Sequence, residues 1–362
     1  MPRHKRWLFD TGVKVPLIVY IPETYKNLYP SDPGSEINRL VSFIDLAPTV
    51  LNLANADIPS TMQGKAFLGK EQNPESKYVH IARGRMDERY DMQRGVRTKD
   101  YKYLRYYEPS KPFIQFMNTP ESGPLMTELR KAEKAGKLSP EAKQLVEPFK
   151  PEESLFDLNI DPFELNDLAK NPEYQLQLNE LREVHNQWMI NILDVGLIPE
   201  AIIRDWEKNK NKPIYKILRE DSKFYNDLLL ISSSNNEKFL QNGLNHPNEA
   251  IRYQAAIGLY NMKYKVSDQT ISLLKKTLIE DQVINVSIAA GRALLKFGIK
   301  TKNILKKISE GLAADNEWTR LQSALVADDF NYAIRNLESE SKNLVKNDPN
   351  KYVVRVLNHA LN

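Results

Sequence analysis

The chain begins with Met1-Pro-Arg-His-Lys-Arg-Trp-Leu-Phe-Asp-Thr-Gly-Val-Lys-Val-Pro16, and an apolar run over residues 15–21 follows. Four basic side chains, those of Arg3, His4, Lys5 and Arg6, therefore precede an aspartate, a glycine and an apolar segment. Nearly continuous apolar residues predict a strand in the middle of a sheet that is covered on both faces. The basic cluster before such a strand indicates a chemical site, and the alternative is a solvated terminus.

Residues 5–16 resemble the late active-site segment of the formylglycine-dependent, type I sulfatases of the alkaline-phosphatase-like superfamily. In that family a lysine lies eleven positions before the proline of a Gly-Gly-Val-x-x-Pro element, and Lys5 likewise lies eleven positions before Pro16 (16 − 5 = 11). Thr11 replaces the first glycine. The resemblance implies that Lys5 is a catalytic cation that contacts the sulfate. The alternative is a lysine that pairs with Asp10 or with solvent.

Three further segments resemble elements of the same family and follow in the family's order. They are residues 42–54 with the later Ile58, Pro59 and Gly64, residues 95–105, and residues 154–169. The resemblance covers residues 2–199 and implies the C-terminal part of the fold, with a small antiparallel sheet. It also implies an enzyme that hydrolyses sulfate esters, with a sulfated carbohydrate or another sulfate ester as substrate.

The family's nucleophile is absent from this sequence. It is a cysteine or serine of a C/S-x-P-x-R motif that is oxidised to formylglycine, and the chain has no cysteine and no serine in that context. The aspartates and the Asp-Asn or Asp-His pair that hold the family's Ca²⁺ would lie before Met1. We therefore expect a fragment that has no metal ligand and is inactive by itself. Arg3 and His4 are predicted near-site residues, although His4 does not match the family's proton-donating histidine.

Charged residues are concentrated in residues 83–91, which follow a predicted strand. The sequence predicts a loop here that projects toward the substrate, because loops carry binding residues and guanidinium groups bind carboxylates or sulfates. The alternative is a surface loop whose charges pair with one another. The predicted substrate-binding residues are Arg83, Arg85, Asp87, Glu88, Arg89 and Asp91.

The remaining pattern of the first half predicts alternating short elements. We expect a core helix over residues 40–54, strands over 78–82 and 155–158, and a hairpin over 95–107 that turns at Lys99-Asp100. Residues 109–151 are predicted to be a surface excursion with one helix near 127–135, and residues 174–196 a helix packed on the sheet. His185 is predicted to be an ordinary surface or boundary residue.

Small-residue pairs recur in the final third at Ala255/Ala256, Ala289/Ala290 and Ser323/Ala324, with a period of 34 (289 − 255 and 323 − 289). Such a period predicts stacked helix pairs and resembles HEAT-like repeats. The predicted fold class is therefore α/β, a truncated sulfatase-like fold with a small antiparallel sheet, plus an all-α helical-repeat domain. The predicted domains are 1–199 and 226–362, joined by a linker over 200–225.

Composition excludes several classes of function. The 362 residues carry a net charge of +4, which does not predict nucleic-acid binding, and no apolar stretch has the length of a membrane span. A full-length bacterial sulfatase is expected in the periplasm or outside the cell. Two rival functions stay open: a scaffold that binds a protein partner through the helical repeats, and a metal-dependent phosphodiesterase of the same superfamily.

Overall fold

The computed structural model describes Arg3 and residues 5–362, and Met1, Pro2 and His4 lie outside the described residues. The strands are β1 Val79–Met86, β2 Arg89–Arg97, β3 Tyr101–Tyr106 and β4 Glu153–Asp157. Helices of the first half are α1 Asp10–Val13, α2 Leu46–Leu53, α3 Asn118–Glu121, α4 Pro124–Lys134, α5 Pro140–Gln144 and α6 Gln175–Ile192. Those of the second half are α7 Glu200–Lys210, α8 Ile214–Glu220, α9 Tyr225–Ser232, α10 Glu237–Gly243, α11 Glu249–Asn261, α12 Asp268–Glu280, α13 Ile284–Lys296, α14 Lys302–Leu312, α15 Glu317–Asp329, α16 Asn331–Asn336, α17 Glu338–Asn347 and α18 Lys351–Leu361.

The four strands form one antiparallel sheet in the order β1-β2-β3-β4. The predicted small sheet is confirmed, including the turn between β2 and β3 at Lys99-Asp100. The predicted loop over residues 83–91 is wrong, because these residues form the ends of β1 and β2 and the tight turn between them at Asp87-Glu88. Several of the charges there, such as those of Glu88 and Arg89, have partners far away in the sequence, and these partners leave no local signal.

Alternating side chains cover the two faces of the sheet, as the two-residue repeat of a strand requires. On one face Leu104, Tyr106 and Phe156 pack in a cluster of buried apolar side chains. On the other face Tyr103 and Leu155 pack against α6. The predicted helix over 174–196 is therefore confirmed as α6. His185 was wrongly predicted as a surface residue: it is fully buried, because α6 turns it toward the sheet, where its Nε2 atom lies 2.8 Å from the hydroxyl of Tyr107.

The predicted strand over residues 15–21 is wrong. This segment has no regular structure, and the side chain of Ile18 is 91% exposed. A central strand needs neighbours on both sides, and no described strand lies beside it. The helix predicted over 40–54 is confirmed as α2, but its predicted core position is wrong, since Val50 is 63% and Leu53 46% exposed.

Helices α11, α13 and α15 repeat along the second half. Each has 13 residues, and they begin at positions 249, 284 and 317, which gives offsets of 35 and 33. The predicted small-residue pairs on these helices are all buried to within 1% exposure. These small side chains let neighbouring helices approach closely. The membership of these helices in the HEAT-like class stays a prediction.

The helices of the second half share one buried core with part of the sheet region. Met92 on β2, Tyr107 just after β3 and Met189 on α6 belong to the same cluster of buried side chains as α9, α11, α13 and α15. Residues 200–225 contain the helices α7 and α8, and the predicted domain boundaries stay a prediction. Across the described residues, no helix has the length and apolar composition needed to cross a membrane.

Candidate functional site

The segment that carries Lys5 is fixed to the sheet by three consecutive buried side chains. Trp7, Leu8 and Phe9 are 8%, 4% and 5% exposed. The ring of Phe9 lies 6.1 Å from that of Phe113 and 6.0 Å from that of Phe156, within the range of favourable aromatic pairs. Burial of three large apolar side chains in a row holds the backbone on their N-terminal side in place.

Asp10, the first residue of α1, fixes the same segment by charge. Its Oδ1 atom lies 2.5 Å from Lys102 Nζ, and its Oδ2 atom lies 2.9 Å from Arg97 Nη2. Its backbone N–H donates to Glu164 Oε2 at 2.5 Å, and Glu164 Oε1 in turn lies 2.7 Å from Lys102 Nζ. The side chains of Lys102 and Glu164 are 0% exposed. Two strands and the turn after β4 thus converge on the start of α1.

The two carboxyl groups of this network differ in their electrostatics. Burial by itself would raise the pKa of Asp10, but the hydrogen bonds and charges of Arg97 and Lys102 outweigh it and hold the pKa below its usual value. Burial raises the pKa of Glu164, and the charge of Lys102 opposes that rise only in part. Lys102 is therefore the main group that stabilises the buried negative charge of Glu164.

Lys5 is exposed, and among the residues that the structure describes it has no hydrogen-bond or ion-pair partner. The alternative pairing of Lys5 with Asp10 is not formed, because Asp10 binds Arg97 and Lys102. The exposure of Lys5 fits the other alternative, a lysine that faces solvent. The next residue, Arg6, has a φ of +82°, which is strained for a residue with a side chain. Its Nη1 atom lies 2.6 Å from Asp87 Oδ2 at the turn between β1 and β2.

Arg3 is held by the turn after β4. Its Nη1 and Nη2 atoms donate to the carbonyl oxygens of Glu164 and Phe163 at 2.9 and 2.5 Å, and its guanidinium lies 4.4 Å from the ring centre of Phe9. Arg3 thus has its own partners in the structure. The predicted role of His4 lies outside the described residues.

Of the six predicted substrate-binding residues, four are buried. Arg83, Glu88, Arg89 and Asp91 are 4%, 1%, 4% and 0% exposed. Their ion pairs are internal: Asp91 with Lys150 at 2.6 Å and with Arg83 at 3.6 Å, Glu88 with Arg355 at 3.4 Å, and Arg89 with Asp328 at 2.6 Å. Of the described ion pairs, only that of Arg83 with Asp91 lies within the set, so the geometry also differs from the alternative of a surface loop whose charges pair with one another. A contact of these residues with substrate stays a prediction.

The other two residues of the set, Arg85 and Asp87, are partly exposed. Arg85 lies 2.7 Å from Glu200 and stacks on the rings of Trp318 and Tyr352, with its guanidinium 4.5 and 4.9 Å from their centres. Asp87 pairs with Arg6 next to Lys5. The structure therefore brings Asp87 and Lys5 into one region, and it directs Arg85 toward the helices of the second half.

The residues that the structure describes around Lys5 do not fit a calcium site. The described residues hold no cluster of three or more histidine, cysteine, aspartate or glutamate side chains suited to a metal ion. Asp10, the acidic residue nearest to Lys5 in sequence, already has its charge neutralised by Arg97 and Lys102.

Sequence reasoning missed Arg97, Lys102 and Glu164 as the residues that fix the Lys5 segment. A signal was present in part: Glu164 lies within the segment 154–169 that resembles the closing element of the sulfatases. Lys102 lies in a strand between two tyrosines and resembles an ordinary outward-facing residue. Only the packing of α1 against β3 shows that its side chain is buried.

Comparisons with known proteins match part of this chain to sulfatases. Residues 3–147 match the family described as N-sulphoglucosamine sulphohydrolase, C-terminal. This part of the chain resembles the C-terminal domain of a sulfatase. The match includes the Lys5 segment and the strands β1, β2 and β3.

Curated relatives are sulfatases as well. An ulvan-active sulfatase from Formosa agariphila is 39% identical over 216 residues, which are 59% of this chain and 35% of the relative. A second ulvan-active sulfatase from the same organism is 28% identical over 223 residues, 58% of this chain and 41% of the relative. An N-acetylglucosamine-6-O-sulfatase from Bacteroides thetaiotaomicron is 25% identical over 111 residues, 28% of this chain and 19% of the relative. The chain spans less than half the length of each relative.

A solved structure of a 2-O GAG sulfatase is also similar, with 23% identity. The superposed part covers 42% of this chain and 25% of the chain of that sulfatase, with a TM-score of 0.28. A score this low carries no argument about the fold.

Proposed function

We propose that this chain is part of a sulfuric ester hydrolase that acts on sulfated carbohydrate, with Lys5 as a catalytic cation. The observation that carries the proposal is the 39% identity over 216 residues to an ulvan-active sulfatase. The geometry supports it, because the strained Arg6 and the buried Trp7, Leu8 and Phe9 fix the backbone beside an exposed lysine. Strained backbone is concentrated at functional sites.

The reaction explains what Lys5 would contribute. Cleavage of a sulfate ester moves negative charge onto the sulfate and leaving-group oxygens, and a positioned cation stabilises that charge. An ammonium group is a compact charge with three donors, so Lys5 would contact both kinds of oxygen. Asp87, which is ion-paired to the neighbour of Lys5, is the member of the 83–91 set that we propose lines the same site.

The nucleophile and the calcium ligands belong to another part of the proposed hydrolase. The chain has no cysteine, so a formylglycine derived from cysteine is not available within it. The exposed apolar side chains of Ile18, Phe43 and Val50 support a division of the active site, because such side chains are normally covered by another part of the protein. We expect the 362-residue chain to release no sulfate by itself.

The experiment joins this chain to the part of the Formosa ulvan-active sulfatase that precedes the matched 216 residues. Sulfate release from ulvan is measured for the chimera and for its Lys5→Ala and Lys14→Ala variants. Lys14 is an exposed lysine of the same segment and is the matched control. We expect Lys5→Ala to lower kcat/KM by about 100- to 1,000-fold, as for removal of one principal charge stabiliser, and Lys14→Ala to leave it within about twofold.

Three results would change this assignment. A Lys5→Ala chimera with unchanged turnover removes the catalytic role of Lys5. Sulfate release by the 362-residue chain alone contradicts the division of the active site. Hydrolysis of a phosphodiester without hydrolysis of a sulfate ester assigns the chain to the phosphodiesterase alternative.

A further inference from the structure

A cleft of about 350 Å³ lies where β3 meets the C-terminal ends of α9 and α11. This volume is within the range of about 300–1,000 Å³ that is typical of small-molecule sites. The cleft is remote in sequence from Lys5. Its helical wall lies outside residues 3–147, which match the sulfatase family, and outside the predicted substrate-binding set 83–91. Its walls come from both halves of the chain, a position where ligand sites are common.

The cleft has both hydrogen-bond donors and hydrogen-bond acceptors. Arg105 enters from β3 and is fixed there, because its Nη2 atom donates to the carbonyl of Ser233 at 2.9 Å. Asn261 is fixed by a hydrogen bond from its Nδ2 atom to the carbonyl of Tyr107 at 3.1 Å. Lys263 adds a second cation, and Glu152 adds an anion. Two polar side chains of the wall are therefore held in one geometry before any ligand binds.

An aromatic ring completes the cleft. Tyr264 lines it and is 52% exposed, so part of this aromatic side chain is accessible to a ligand. Next to it, Lys263 is also exposed. A flat apolar face beside fixed polar groups suits a ligand that has an apolar side and a polar rim.

The charge pattern decides the class of ligand. The C-terminal ends of α9 and α11 face the cleft, and helix C-termini carry partial negative charge. Together with Glu152 they oppose a simple anion, although Arg105 and Lys263 would attract one. A sugar ring fits this mixture, because its hydroxyl groups donate and accept hydrogen bonds and its ring carbons form an apolar face.

We propose that this cleft is an accessory carbohydrate-binding site that holds one sugar unit of a polysaccharide. Binding at this site does not require hydrolysis, whereas the inclusion of ulvan among the probes and the benefit to a long substrate rest on the proposed function. Such a site would raise the local concentration of a long substrate, since binding at one attachment point makes binding at the other effectively intramolecular.

The test is isothermal titration calorimetry of the 362-residue chain with defined oligosaccharides, among them those of ulvan and neutral glucose oligomers. We expect binding of at least one of them, and no binding of inorganic sulfate, which offers only acceptors. Tyr264→Ala should weaken binding about three- to tenfold through the lost ring face, and Lys263→Ala about threefold. Tyr215→Ala and Lys265→Ala are the matched controls, because both residues are exposed and lie outside the cleft, and they should leave Kd unchanged.

Each outcome separates this proposal from the catalytic one. Absence of binding across the oligosaccharides overturns the accessory site, and so does binding that the Tyr264→Ala and Lys263→Ala variants retain in full. Binding of inorganic sulfate at the same affinity as the oligosaccharides overturns the sugar class in favour of a simple anion. A chimera that releases no sulfate, while this chain still binds oligosaccharide at Tyr264, counts against the proposed function alone.

Discussion

Replacement of Lys102 by methionine should strongly destabilise the protein, because it removes the cation between two buried carboxyl groups. Methionine has a similar length and no charge, so the main loss is electrostatic. Arg97 remains beside Asp10, whereas Glu164, with a side chain that is 0% exposed, loses its one ion-pair partner in the described structure. Removal of one partner from a buried pair costs about 3–5 kcal/mol. We expect a loss of that size in the free energy of unfolding at neutral pH.

The pH dependence of the loss identifies its cause. Burial already raises the pKa of Glu164, and the pKa rises further without Lys102. The folded variant then binds a proton that the unfolded chain releases near pH 4.5, so the variant loses stability as the pH rises above about 4.5. Asp10 acts in the opposite direction in the native protein, because its pKa is lowered. Its contribution to the free energy of unfolding is lost only as the pH falls below the usual pKa of an aspartate.

Urea denaturation followed by circular dichroism, repeated at several pH values, measures both effects. Lys99→Met is the matched control, because Lys99 lies in the adjacent turn and pairs with Glu75 at 2.8 Å in an exposed position. That variant should lose at most about 1 kcal/mol. Adding Glu164→Gln to Lys102→Met should restore roughly 1–3 kcal/mol, since the unpaired charge is then absent. Equal losses for Lys102→Met and Lys99→Met, or a loss that does not vary with pH, would refute the reasoning.

Two further predictions concern the helices. Gly311→Ala should cost about 1–3 kcal/mol, because an added Cβ atom would lie 2.1 Å from Ser323 Oγ, whereas Gly291→Ala, with its nearest atom at 3.3 Å, should be neutral or slightly stabilising in the same denaturation experiment. Burial, with the charges of Arg105 and Arg94, lowers the pKa of His185 to about 3. The unfolded chain binds that proton near pH 6.5, so the free energy of unfolding should fall by about 1.4 kcal/mol for each unit that the pH is lowered from about 6 to about 4. His185→Asn should remove this slope. An unchanged slope in the variant would exclude His185 as its source.

The elements of the fold were predictable wherever the signal is local. Alternation of tyrosine and aliphatic residues gave the hairpin of β2 and β3, and the three-and-four spacing of apolar residues gave α6. The period of 34 located α11, α13 and α15, because a helix that approaches its neighbour closely must have small residues at the contact. Each of these patterns lies within one element or repeats at a fixed period, so the sequence displays it directly.

The partners of charged residues were not predictable. Residues 83–91 look like a hydrophilic loop, yet Arg89 pairs with Asp328, which lies 239 positions later in the chain. In the same way, Lys102 is buried against Asp10 and Glu164. The local sequence around a buried charged residue does not differ from that around an exposed one, so its burial cannot be predicted without knowing its partner. The apolar run at 15–21 failed for a related reason, because the prediction assumed neighbouring strands that the described residues do not supply.

The turn between β1 and β2 links the helices of the second half to the segment of Lys5. On the helix side, Arg85 binds Glu200, and Glu88 binds Arg355 on α18. On the other side, Asp87 binds Arg6, the neighbour of Lys5. Because these three charged residues lie within four positions of a tight turn, the helices restrict the turn, and the turn restricts the backbone beside the lysine. The charged residues that resemble a substrate loop in the sequence thus act, in the folded chain, as the connection between the helical half and the proposed catalytic cation.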